Sequence, residues 1–179
     1  VDAPAPDALI SPEYRALLRS CHVADARWGS TAGRWAGMVR NALSNLPHGA
    51  TVLDYGCGKG ELARALDDVE VREYDPAIPG KDDLPEPADL VVCVDVLEHV
   101  EPDRLYEVLA HIASLARRRA LLAVATRAAV KELSDGRNAH LIVHPHTWWE
   151  DQLLEHFRLE YVHVKNRGEF VALAAPEPK

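Results

Sequence analysis

The chain of 179 residues has no apolar run approaching the length of a bilayer span, which argues against a membrane protein. It also has little cysteine. Cys21, Cys57 and Cys93 stand singly, at no spacing that a disulfide framework or a zinc site would use. The opening run Val1-Asp2-Ala3-Pro4-Ala5-Pro6-Asp7 carries acids and prolines where a secretory signal needs basic residues and then an apolar stretch. A reducing, cytoplasmic setting is the expectation. Excess positive charge is missing too: the net charge is −8, whereas phosphate-backbone binding is normally driven by a basic patch. Nucleic acid is therefore not an expected partner. The one dense basic cluster, Arg117-Arg118-Arg119, reads as the close of a helix, where positive charge suits the helix dipole. No internal repeat is visible.

What is present is the composition of a globular protein, with 47% apolar and 27% charged residues. The length suits one core rather than two domains. Ser11-Pro12-Glu13 is a helix start, with serine as cap, proline at the first helical position and an early acid. Trp35, Val39, Ala42, Leu43 and Leu46 repeat at helical spacing, and Pro47-His48-Gly49 ends that pattern. Trp28-Gly29-Ser30-Thr31-Ala32-Gly33 between them is a loose junction. Strands are expected over residues 51–55, 69–74, 88–94 and 120–126. Leu90-Val91-Val92-Cys93-Val94 is unbroken, as in a parallel strand buried on both faces. Residues 102–116 are expected to be helical. Thr147-Trp148-Trp149-Glu150 has the form of a capping box opening a helix through Phe157. Residues 159–165 and 169–174 read as strands around a turn at Asn166-Arg167-Gly168, before a loose tail.

Strands alternating with helices predict an α/β fold: a single doubly wound, mostly parallel sheet with a C-terminal antiparallel hairpin. Three segments follow from this. Residues 1–49 form an N-terminal helical segment packing on the core, residues 50–175 the core, and residues 176–179 the tail.

The densest signal is Val52-Leu53-Asp54-Tyr55-Gly56-Cys57-Gly58-Lys59-Gly60, an apolar strand running into Asp-x-Gly-x-Gly-x-Gly and then a helical pattern. Glycines permit positive φ and let a ligand approach the backbone. The N–H groups of the helix that follows would favour an anionic group, and Asp54, at the strand end, suits an ammonium. A dinucleotide loop would read G-x-G-x-x-G, but residue 61 is Glu, and Asp54 would repel a pyrophosphate.

This run resembles the cofactor loop of class I S-adenosylmethionine-dependent methyltransferases, and the resemblance covers residues 50–175. It implies S-adenosyl-L-methionine as cofactor, held by Asp54, Gly56, Cys57, Gly58, Asp75 and Asp95. Asp75, in Glu73-Tyr74-Asp75-Pro76, would accept the ribose hydroxyls. The family usually places a helix and a strand before the central strand. Residues 76–87, with four prolines, have no room for both, so a shortened sheet edge is expected there, with order second, first, third, fourth, sixth, fifth. Asp82 and Asp83 are the substitutes available on the adenine side. The N-terminal segment of such enzymes often covers the cofactor.

Asp95-Val96-Leu97-Glu98-His99 resembles the run that faces the transferred methyl group in many small-molecule enzymes of this family. Asp95, Glu98 and His99 are thus the candidate catalytic residues, His99 being the first candidate base because imidazole titrates near neutrality. Its alternative role is an orienting bond to the backbone. The long irregular stretch over residues 126–145 is the expected acceptor lid. Arg137, His140, His144 and Trp148 are the candidate substrate contacts. Arg137 suits a carboxylate or phosphate, and Trp148 suits stacking.

The function implied is methyl transfer to an oxygen or nitrogen of a small-molecule or glycan-precursor acceptor, without metal. Two alternatives stand beside it. Small-RNA 3′-terminal 2′-O-methyltransferases carry a similar acid and Glu-His with a later histidine, which here would make Glu98, His99 and His144, or His140, ligands of a divalent metal. The other is a cofactor-binding module without activity.

Overall fold

The computed structural model describes residues 5–165 and 168–177. The chain begins with a short helix α1 (Pro6–Leu9) and the helix α2 (Pro12–Ala24). Ser11 caps α2 as expected, its Oγ accepting from Tyr14 N at 3.1 Å. A 3-10 turn (Ala32–Trp35) leads into α3 (Ala36–Leu43). Then follow β1 (Val52–Tyr55), α4 (Glu61–Ala65), β2 (Val71–Tyr74) and β3 (Ala88–Val94). Two 3-10 turns precede α5 (Leu105–Leu115), which is followed by β4 (Ala116–Ala125), α6 (His146–Leu154), β5 (Phe157–Val164) and β6 (Glu169–Pro176).

The six strands form one sheet in the order β2-β1-β3-β4-β6-β5. The first four are parallel, and β6 runs antiparallel to both β4 and β5. This is the expected order. Among the described residues no strand lies outside β2, since residues 76–87 form turns and coil, so the edge is shortened as the prolines require. The turn expected at residues 166–168 involves Asn166 and Arg167, which lie outside the described residues.

Side chains alternate along the strands into two apolar layers. Leu53, Val91, Cys93 and Phe170 pack against Leu109 and Ile112 of α5 and Trp149 of α6. Val52, Leu90, Val92 and Leu121 pack against Trp35 and Val39 on one side and Leu62 and Leu66 on the other. A third, smaller cluster joins Ile10 and Tyr14 to Leu133 and Ala139 of the long loop. It seats the N-terminal helices over the carboxyl ends of the strands.

Three local expectations need correction. Arg117, Arg118 and Arg119 lie in β4 rather than closing a helix, because α5 turns directly into the strand at Ala116, which pairs with Ala88. Leu90 then pairs with Arg119, so β4 carries an extra residue there, a bulge that frees Arg118 to reach Asp89 at 3.2 Å and Arg119 to reach Glu160 at 2.8 Å. The capping box at Thr147 does not form. Pro145 already has extended N-cap geometry, so Thr147 falls inside α6 and Phe157 begins β5. Finally, the helical pattern from Trp35 ends at Leu43, and Leu46 lies in the turn after it.

Candidate functional site

The loop after β1 follows from its glycines. Gly56, Gly58 and Gly60 have φ of 78°, 51° and 75°, where a side chain is strained. A Cβ on Gly56 would strike Val96, and one on Gly58 the carbonyl oxygen of Gly29. The loop is sewn to the end of β2: Gly56 N and Cys57 N donate to Tyr74 O at 2.7 and 3.0 Å, and Gly58 N donates to Asp75 Oδ2 at 3.0 Å. Lys59 N donates to Gly29 O and Gly60 N to Cys57 O. Each N–H from 56 to 60 therefore has a protein acceptor, and five residues of α4 sum to little dipole. Cys57 is buried and contributes its backbone. Burial pushes its thiol well above the usual range.

Two carboxylates lie beside this loop. Asp75 is 7% exposed, and Ala77 N donates to its Oδ1 at 2.9 Å. It forms part of the wall of a cavity of about 480 Å³. Glu73, the other acid at the end of β2, is held by Lys81 Nζ at 3.0 Å, away from that wall. Asp54 sits one layer behind the wall, 1% exposed, its Oδ2 lacking a hydrogen-bond partner among the described residues. Burial first, and then the charge of Glu73, push its pKa up to about 7. Asp82 is bound by Arg19 at 2.8 Å, Asp83 is exposed, and neither reaches the cavity.

The other end of the cavity is built by the run after β3. Asp95 has φ of 57°, a conformation uncommon for a residue with a side chain though tolerated by aspartate. Its carboxylate accepts from Thr31 Oγ1 at 2.8 Å and from Arg34 Nη2 at 2.7 and 2.9 Å, and Arg34 also reaches Glu169. Glu98 is 1% exposed. Its Oε1 accepts from Ala125 N at 3.0 Å, Oε2 has no hydrogen-bond partner among the described residues, and burial pushes its pKa up to about 7.

His99 and His140 share one arrangement. His99 Nδ1 lies 2.7 Å from Ala139 O and His140 Nδ1 2.6 Å from Arg127 O. A carbonyl only accepts, so each Nδ1 carries the proton and each Nε2 presents a lone pair in the neutral ring. Burial holds both imidazoles below their ordinary pKa. The rings meet edge to face at 4.8 Å. Glu98, His99 and His140 each offer one ligand atom within 4.8 Å of the others.

The loop can present His140 because Asn138 clamps it. Its Oδ1 accepts from Ala129 N and His140 N, and its Nδ2 donates to Ala129 O. Tyr14 OH donates to His99 O at 2.8 Å. Neither Asn138, Tyr14 nor Arg34 stands out in the sequence, because their partners are 9, 85 and 61 residues away.

Of the expected residues, then, Gly56, Gly58, Asp75, Asp95, Glu98, His99 and His140 meet around one cavity. Tyr14, His22, Trp28 and Thr31 of the N-terminal segment line it as well. Its size is that of a small-molecule site. Arg137, His144 and Trp148 do not line it. Arg137 pairs with Asp135 at 2.7 Å and lies over the ring of Tyr14, while His144 stacks on Trp148 at 4.2 Å.

The sequence pattern of the methyltransferase-domain family matches residues 28–161, three quarters of the chain, and takes in both ends of this cavity. The chain belongs to that family. It is a class I S-adenosylmethionine-dependent methyltransferase, as the glycine loop implies. The fold is also that of solved methyltransferases. The 1,6-didemethyltoxoflavin-N1-methyltransferase of Burkholderia thailandensis, solved with 1,6-didemethyltoxoflavin and S-adenosylhomocysteine, aligns at a TM-score of 0.67 and 23% identity, over 98% of this chain and 93% of that one. Magnesium protoporphyrin IX methyltransferase of Synechocystis PCC 6803 with bound S-adenosylmethionine aligns at 0.59 and 21%, over 99% and 100%. The N-methyltransferase NodS of Bradyrhizobium japonicum WM9 aligns at 0.57 and 14%, over 81% and 86%. No curated protein matches the chain. Among the described residues no helix of this methyltransferase is long and apolar enough to cross a membrane.

Proposed function

We propose that this methyltransferase transfers the methyl group of S-adenosylmethionine to an oxygen or nitrogen of a small molecule. One observation carries the reading: a single cavity joins the glycine loop and Asp75 to Glu98, His99 and His140. The cofactor supplies an electrophilic methyl group on a sulfonium, and everything else is the chain's part. Gly56 and Gly58 let the cofactor lie against backbone, Asp75 takes the ribose hydroxyls, and the charge of Asp54 behind the loop suits the ammonium, through water. Arg34, which lines the cavity beside Asp95, is the cation for the cofactor carboxylate.

Methyl transfer is an in-line displacement, so catalysis is mostly positioning, with a base where the acceptor must lose a proton. His99 fills that role geometrically. Its Nδ1 is fixed by Ala139 O, which aims the ring and leaves Nε2 to take the acceptor proton. The apolar and aromatic lining from Ile10, Tyr14, Trp28 and Val96 favours a flat or apolar acceptor. The flat heteroaromatic ligand of the didemethyltoxoflavin enzyme supports this class.

Incubation with labelled S-adenosylmethionine and a fractionated extract of the source cell, with mass identification of the labelled product, tests the reading. Label entering a small molecule is expected, and label entering only macromolecules would refute it.

A second reading keeps the reaction and adds a divalent metal at Glu98, His99 and His140. It is favoured by the buried, unpartnered Glu98 Oε2 and the two oriented Nε2 atoms, a carboxylate and imidazole set that suits first-row ions. His140 stands where His144 was the alternative, since His144 is engaged with Trp148.

A further inference from the structure

The shortened sheet edge leaves a chemical gap. Between β2 and β3 the chain offers only turns and coil, and neither Asp82 nor Asp83 reaches the cavity. The second half of α2, with His22 in its last turn, lies on that side instead. It is tied down twice: Arg19 donates to Asp82 at 2.8 Å, and Lys59 Nζ donates to His22 O at 2.6 Å.

His22, in this turn, lines the cavity together with Asp75 and Gly58. Its Nδ1 is buried and has no hydrogen-bond partner among the described residues. A buried polar atom left unpaired is costly, and such atoms in a site point to a ligand. The chain also keeps room for the ring. Gly29 has φ of 67°, and a Cβ there would lie 2.9 Å from His22 Cε1. The charged groups facing the imidazole are Asp75, Lys59 and Lys81, and burial keeps the ring neutral, so Nδ1 can donate or accept according to tautomer.

We propose that His22 binds the adenosine half of the cofactor through Nδ1, in the place left by the missing edge elements. The proposal rests on S-adenosylmethionine being the cofactor. It assigns to the N-terminal segment a share of cofactor recognition, beyond covering the site.

The test uses two ligands, S-adenosylhomocysteine and 5′-methylthioadenosine, which lacks the amino-acid half. Calorimetric titration is made on the parent, His22→Phe, which keeps a ring without its polar atoms, and His22→Gln, which restores a donor and acceptor. Loss of one buried hydrogen bond should weaken both ligands by about tenfold in His22→Phe. His22→Gln should recover most of it. Asp54→Asn should weaken S-adenosylhomocysteine alone, because the second ligand has no ammonium. If His22→Phe fails to fold, His22→Ala, which only removes atoms, takes its place under the same expectation. Unchanged affinity of a folded His22 variant for 5′-methylthioadenosine overturns the proposal while leaving the cofactor reading intact. Failure of the parent to bind S-adenosylhomocysteine overturns both.

Discussion

Asp54 couples function to stability, and the coupling can be measured. Its carboxyl, 1% exposed, has a pKa raised from 3.8 to about 7, chiefly by burial. In the unfolded chain it ionises near 3.8, so between the two values the folded state holds one more proton than the unfolded state. Stability contributed by this group is therefore fully present below the lower value and is lost as pH rises, until it levels off above the higher one. At about 1.4 kcal/mol per pH unit, the full loss is about 4 kcal/mol. Asp54→Asn removes the titration. The difference in unfolding free energy between the variant and the parent, from urea melts without ligand, should grow in favour of the variant by about 2 kcal/mol from about pH 5 to about pH 7. The same variant should show little of the rise in melting temperature that S-adenosylhomocysteine gives the parent, since that rise reports binding to the folded state. A difference flat across this pH range would refute the argument that a buried charge is held there for a ligand.

Other consequences follow from single contacts. Gly58→Val would press a side chain onto Gly29 O, so S-adenosylhomocysteine should no longer raise the melting temperature, whereas Gly37→Ala, with open space around it and ordinary backbone, should leave that rise in place. Arg34→Ala unties the N-terminal segment from Asp95 and Glu169, and trypsin should then cut at Arg27 several-fold faster, with global stability lowered by about 1 kcal/mol or less because the pair is partly exposed. His99→Ala should lower turnover by about 10²-fold or more while cofactor affinity changes little, as measured by label transfer and calorimetry. Exhaustive chelation separates the two readings of the acceptor end: activity that survives excludes the metal, and activity lost but restored by manganese, cobalt or zinc establishes it.

The sheet was legible because its information is local. The unbroken apolar run of β3 and the strand-to-glycine step at Asp54 each declare an element within ten residues, and the four prolines of residues 76–87 declare what cannot form there. Local patterns misled where tertiary pairing outweighed them. Three arginines look like a helix end, but pairing with β3 draws them into β4. Thr-Trp-Trp-Glu has the form of a capping box, but the backbone of Pro145 starts the helix first. At the site, Asp75, Glu98 and His99 could be named because each follows a strand end. Arg34 and Tyr14 could not, because their partners lie 61 and 85 residues along the chain.

The division also explains how the cavity is assembled. The sheet fixes Asp54 in β1 and the turn after β3 fixes Glu98, where burial first and neighbouring carboxylates after it raise both to about 7 and, among the described residues, each keeps an oxygen unpartnered. Such a site is unfavourable when empty and gains from a ligand carrying donors or positive charge. The N-terminal segment completes it in two ways: Trp35 and Val39 lie in the second apolar layer and Ile10 and Tyr14 in the third cluster, and polar contacts join Arg34 to Asp95, Tyr14 to His99 O, Ser11 to Glu101 and Arg19 to Asp82. Contacts of this kind are individually weak and exchange readily with water. Opening at α2 therefore has to break these contacts and the small cluster of Ile10 and Tyr14, while Trp35 and Val39 hold α3 on the sheet.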